Sequence, residues 1–237
     1  MTAARRVGIL GGTFDPIHCG HVDLARAAQQ TLNLDDFFVV TANLPPHRPQ
    51  PFASSFHRFA MVSLAVAGRK GWHASDLELR ASGPSYTSAT LQAFRDRGYS
   101  TSELFFVIGA DAFADIAAWR DYPHILDLAQ FVVVSRPGFP VTDLRRRLPS
   151  LSRRMAAPED TGRPHHPAII LIDARTADVS STAIRRRVAD GESIAGLVPP
   201  AVQQYIEQHG LYTTTPPGRR RADGPHDPAA GRLHGEN

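Results

Sequence analysis

Lysine is almost missing from this chain of 237 residues: of 26 basic residues only Lys70 is a lysine, the other 25 being arginine. A P-loop of the form GxxxxGK[ST] needs a lysine followed by a hydroxyl. Gly68-Arg69-Lys70-Gly71 has neither the spacing nor the hydroxyl, so that class of nucleotide binder is excluded. Cysteine is as scarce. Cys19 stands alone, which excludes an internal disulfide framework and fits a reducing compartment. Long apolar runs are absent too. The first, Val7 to Leu10, is too short for a signal-peptide core, and none approaches a membrane span, so the expectation is a cytoplasmic chain without a membrane partner. Net charge is only +3, and the arginine clusters at 145–147, 153–154 and 219–221 read as solvated faces and tail; no nucleic-acid partner is expected.

What is present is ordinary in bulk, 42% hydrophobic and 21% charged, and long enough to bury one full-sized core. The informative stretch is Gly11-Gly12-Thr13-Phe14-Asp15-Pro16-Ile17-His18-Cys19-Gly20-His21. It follows the apolar run and precedes helical spacing at Val22, Leu24, Ala25, Ala28 and Leu32, so it reads as strand, tight turn and helix start. With the apolar segment Phe37 to Thr41 it forms a βαβ start to a parallel sheet. A helix N-terminus after a glycine pair attracts phosphate, and His18 and His21 would share a face of its first turn if both are helical. Taken alone, the two histidines could equally be a cap and a core residue.

Further along, four prolines in Asn43–Pro51 make a stiff loop. Ser54 or Ser55 caps a helix to about Ala67, and Trp72 to Leu79 holds a short strand. Ser85 to Ser88 opens a helix to about Arg97, and Leu104 to Ile108 is the clearest central strand, passing through Gly109-Ala110-Asp111 into a helical stretch that ends at Trp119. A helix over Pro123–Ala129, a strand over Phe131–Val134, a variable surface insertion over 142–167 and a strand over Ala168–Ile172 follow. Ser180-Ser181-Thr182 opens a helix to Ala189, and Pro199-Pro200 starts the closing one. One domain over 1–212 is expected, with a disordered Arg/Pro/Gly-rich tail over 213–237.

Thr13 to His18 followed by Gly20-His21 resembles the HxGH signature of the nucleotidylyltransferase superfamily, in the form found in bacterial nicotinate-nucleotide adenylyltransferases. The same family order and spacing hold for Asn43, Pro45-Pro46-His47-Arg48, Ser85-Tyr86-Thr87, Ile108–Asp111, Trp119, Arg136-Pro137-Gly138 and Val179–Arg185. That resemblance implies a Rossmann-like parallel sheet flanked by helices with a small C-terminal helical part. It implies AMP transfer from ATP to nicotinic acid mononucleotide, giving deamido-NAD and pyrophosphate, with Mg²⁺ carried by ATP. His18, His21 and Arg185 become the catalytic candidates. Gly11, Gly12, Thr13, Phe14, Gly109, Asp111, Ser180, Ser181 and Thr182 join them on the ATP side, while Asn43, His47, Tyr86, Thr87 and Trp119 fall to the nicotinate nucleotide.

Plainer readings stand beside these: Ser180 as an N-cap, Asp111 capping the next helix, Trp119 as core. Asp15 is expected to brace the turn, Cys19 to have no catalytic role, and no protein-bound metal site is expected. Preference for nicotinamide mononucleotide and a non-catalytic nucleotide sensor are the alternatives. Oligomeric state leaves no mark that can be read.

Overall fold

The computed structural model describes residues 5–45, 50–160 and 168–214. Seven parallel strands form one sheet: β1 (Val7–Gly12), β2 (Asp36–Thr41), β3 (Trp72–Ser75), β4 (Leu104–Gly109), β5 (Gln130–Val134), β6 (Met155–Ala156) and β7 (Ile169–Ile172), in the order β3-β2-β1-β4-β5-β7-β6. The helices are α1 (Cys19–Leu32), α2 (Ser55–Val66), α3 (Thr87–Asp96), α4 (Ala110–Phe113), α5 (Leu144–Arg147), α6 (Ser181–Ala189) and α7 (Pro200–His209).

Both faces of the sheet are covered, as a parallel sheet requires. Alternation along β4 shows how. Phe105 and Val107 point into one core with Leu24 and Ala28 of α1, Met61 and Val62 of α2 and Ile184 of α6, while Leu104, Phe106 and Ile108 point into the other with Leu91 and Phe94 of α3. The chain winds outward from β1 through β2 to β3, then returns to lay β4 on the other side of β1. Strand order therefore reverses between β1 and β4, and in such sheets the crevice at the carboxyl ends of those strands is where ligands bind.

Gly8, near the start of β1, shows how tightly the sheet packs at its opposite end, since a Cβ on it would sit 2.5 Å from the Phe37 ring.

Three expectations need correction. The short strand from Trp72 stops at Ser75, because Asp76 accepts the amides of Leu79 and Arg80 and turns the chain. Pro123–Ala129 is not an α-helix: only a 3₁₀ turn, His124–Asp127, forms there. The insertion at 142–167 is not purely surface. Leu144, Leu151 and Met155 are buried, and Met155-Ala156 adds the edge strand beside β7. Its arginines serve the irregular backbone, Arg145 donating to the carbonyls of Ser152 and Met155 and Arg154 to that of Leu126. Residues 161–167 of that segment, and 215–237 of the expected tail, lie outside the described residues. Among the described residues no helix is long and apolar enough to cross a membrane.

Candidate active site

The turn after β1 is held from beneath. Asp15, 5% exposed, accepts the amides of Phe52 (2.7 Å) and Ala53 (3.1 Å) and the hydroxyl of Tyr212 (2.8 Å). Arg58, 1% exposed, donates to the carbonyls of Thr13 (2.7 Å), Ala42 (2.6 Å), Asn43 (3.1 Å) and Ala53 (3.2 Å). One guanidinium thereby fastens the ends of β1 and β2 to the entry of α2. Phe14 adopts a left-handed backbone, φ 51°, and tucks its ring edge-on beneath His21 at 5.1 Å. Gly12 has to be glycine to receive that ring, since a Cβ would lie 2.9 Å from it. Phe14 thus supports the site from below, being 2% exposed.

His18 and His21 do not both belong to the helix. His18 is the N-cap residue, with extended backbone, and His21 is the third helical residue. Their rings nonetheless stack, with centroids 3.7 Å apart and planes 25° from parallel. The His18 amide donates to Nδ1 of His21 at 3.3 Å, which leaves the proton of neutral His21 on Nε2. His18 is 2% exposed, and its Nδ1 finds no partner among the described residues. Burial, reinforced by the nearby Arg136 cation, holds the imidazole down at about 3, so it is neutral at physiological pH. A buried imidazole with an unsatisfied nitrogen costs free energy unless a ligand completes it.

Arg136 stands beside this pair, and Arg185 and the N-terminus of α6 close on the turn that leads into it. Arg136, just after β5, donates to the carbonyl of Val179 (3.3 Å) and lies so close to Gly20 that a Cβ there would be 2.6 Å from its Nη1. Arg185 on α6 donates to the Asp15 carbonyl (2.7 Å) and to the Thr182 hydroxyl (3.2 Å), and it stacks over the exposed Phe52 ring at 4.6 Å. The N-terminus of α6 arrives with it. Ser180 caps the helix by accepting the Ala183 amide, and the Ser181 hydroxyl donates to the Pro16 carbonyl at 2.9 Å. The first turns of both α1 and α6 carry no acidic side chain. Two helix N-termini and two arginines at one place suit a polyanion. At the end of β4, a Cβ on Gly109 would lie 2.4 Å from Oδ1 of Asp111, which is exposed in the first turn of α4.

The other group of candidates flanks this centre. Asn43 donates its amide to Oγ of Ser85 (2.8 Å) and its Nδ2 to the Ala81 carbonyl (3.2 Å). Tyr86 precedes α3 and Thr87 opens it, with no side-chain cap and no acidic residue in the first turn. The Tyr86 ring carries the Arg120 guanidinium at 4.3 Å and lines a cavity of about 350 Å³ with Ser88, Gln92, Asp121 and His124, away from the histidine pair. Trp119 is half-buried, edge-on to Phe106 at 6.3 Å. His47 lies outside the described residues. Sequence reasoning missed the roles of Arg58 and Arg136. A lone arginine within an otherwise apolar helical stretch was the signal for the first; the second stood in a quoted motif without a task. Among the described residues no group of three His, Cys, Asp or Glu side chains could hold a metal ion.

A seven-stranded parallel sheet with paired imidazoles at its switch point defines a nucleotide-binding α/β class, and the family model described as cytidylyltransferase-like matches residues 9–187. A relative from Desulfatibacillum aliphaticivorans, named as a probable nicotinate-nucleotide adenylyltransferase, is 43% identical over 87% of this chain and 99% of its own length. One from Roseiflexus sp. strain RS-1, with the same name, is 43% identical over 87% and 97%. The chain belongs to the cytidylyltransferase-like family, among the nicotinate-nucleotide adenylyltransferases. A solved structure of the Plasmodium falciparum nicotinic acid mononucleotide adenylyltransferase complexed with NaAD shares the fold at TM-score 0.68, with 18% identity over 88% of this chain and 97% of that one.

Proposed function

We propose that the protein transfers the adenylyl group of ATP to nicotinic acid mononucleotide, forming deamido-NAD and releasing pyrophosphate. A 5′-phosphate oxygen attacks the α-phosphorus of ATP, and the bond from that phosphorus to the oxygen bridging it to the β-phosphorus breaks. The nucleophile is already an anion, so no general base is needed. The task is to align two polyanions and to neutralise charge on the α-phosphate and the departing pyrophosphate.

One observation carries the reading: a buried, neutral His18 with an unsatisfied nitrogen, stacked on His21 and flanked by Arg136 and Arg185 from two other elements. His18, held neutral, and His21 supply imidazole donors at the reacting phosphate. Arg185, held by the Asp15 carbonyl and the Thr182 hydroxyl, turns its remaining donors to the β- and γ-phosphates with the α6 N-terminus. Gly11, Gly12, Thr13 and the Gly109–Asp111 turn line the adenosine side, while Asn43, Thr87, Trp119 and His47 receive the nicotinate nucleotide. The uncapped start of α3, free of acidic side chains, favours a carboxylate over an amide there. A divalent metal accompanies ATP in this family; we assign Mg²⁺, entering with ATP as part of the substrate.

Pyrophosphate release measured with ATP and each pyridine mononucleotide tests the reading. The expected result is turnover with the acid far above that with the amide. Faster turnover with the amide reverses the substrate assignment, and ATP binding without turnover makes the protein a sensor.

A further inference from the structure

Glu78 is a carboxylate set into the protein with no ion pair to it among the described residues. Thr90 of α3 donates its hydroxyl to Oε1, and the Ser85 hydroxyl lies near enough to favour the charged form. Removal from water pushes this carboxyl above the usual range, and neither hydroxyl brings a compensating charge. Both partners have consequences for the site. Ser85 accepts the Asn43 amide through the same oxygen at 2.8 Å, and its own amide donates to the Leu44 carbonyl at 2.9 Å. Thr90 lies one turn beyond Tyr86 and Thr87, and its amide bonds to the Tyr86 carbonyl at 3.1 Å. One carboxylate therefore anchors the first turn of α3 beside the segment that Ser85 ties to the loop leaving β2.

We propose that Glu78 is a positioning residue for the nicotinate nucleotide. By accepting the Thr90 hydroxyl beside Ser85, which holds the Asn43 amide, it sets the separation between Asn43 on one wall and Thr87 on the other. This rests on the assignment of Asn43 and Thr87 to that substrate. An aliphatic side chain at 78 would let the walls drift, and misplacement by an ångström costs heavily in productive binding. A purely structural role would spread over both substrates.

The test is steady-state kinetics with each substrate varied in turn, on the full chain. Glu78→Ala should raise KM for nicotinic acid mononucleotide about tenfold or more, the effect of losing one to two such bonds, with KM for ATP within about twofold. Glu78→Gln, which still accepts a hydroxyl, should recover most of the loss. Equal effects on the two KM values, or no difference between Ala and Gln, overturns the proposal. Should Glu78→Ala not fold, Ser85→Ala and Thr90→Val each remove one hydroxyl, and absence of a selective rise in both overturns it equally. Asn43→Ala separates the layers. If it raises KM for the mononucleotide and Glu78→Ala does not, Glu78 has no such role and the site assignment stands; if Asn43→Ala changes nothing, the assignment itself fails and the proposal with it.

Discussion

The phosphate side and the nicotinate side of this crevice are built differently. Around His18, bonds bring together residues far apart in the chain: Asp15 with Tyr212, Asp15 with Arg185, Pro16 with Ser181. Asp15, His18 and Arg58 are buried. Around Asn43 and Thr87 the bonds span less of the chain, 12 residues between Glu78 and Thr90 and 42 between Asn43 and Ser85, and Asn43, Glu78, Ser85 and Thr87 are only half-buried. A phosphate chain offers repeated charge at fixed spacing, so a rigid cradle loses nothing by being set in advance, and preorganised donors are worth most there. A ring joined to a ribose carries less charge, and its walls are held by neutral donors such as the Thr90 hydroxyl and the Asn43 amide.

The sharpest way to break that contrast is at its centre. His18→Ala should lower the turnover rate by roughly 10²–10³-fold, the usual effect of deleting one preorganised donor, while circular dichroism shows the fold retained. Near-full turnover would remove His18 from the chemistry. A smaller effect is expected at the rim. Arg185→Ala should weaken apparent ATP affinity by about 10- to 100-fold, the value of a charge-assisted contact, and leave nicotinate nucleotide affinity nearly unchanged. Equal losses for both substrates would dissolve the distinction between the two sides.

The smallest effect is read in stability against pH. His18 takes its proton near 6.5 when unfolded and at about 3 when folded. Between those values the unfolded chain holds more protons, so acid favours unfolding. The penalty is absent above pH 6.5 and grows as pH falls toward 3, by at most about 1.4 kcal/mol per pH unit. His18→Asn should flatten that slope in urea titrations; an unchanged slope would show that His18 is not buried neutral.

Much of this was legible beforehand. β1, β4 and the starts of α1 and α6 follow from apolar runs bounded by glycine or serine, whose local preference agrees with the tertiary structure. The edge strand β6 was not, because two residues cannot show a period, and the dense arginines around them read as surface while they serve backbone carbonyls. The stacking of His18 on His21 was half legible: spacing placed them together, but only the extended backbone of His18 lays the rings face to face. Arg58 escaped because its partners are carbonyls, which every sequence carries and no sequence marks.

The bond from Tyr212 to Asp15 has a consequence for synthesis. The glycine-rich turn leaves the ribosome well before the hydroxyl that completes its brace, which lies 197 residues later. Closing so long a loop is entropically slow, and it cannot begin until the C-terminal helix has emerged. A nascent chain therefore carries its histidines without a finished site, and competence to grip a nucleotide waits for Tyr212.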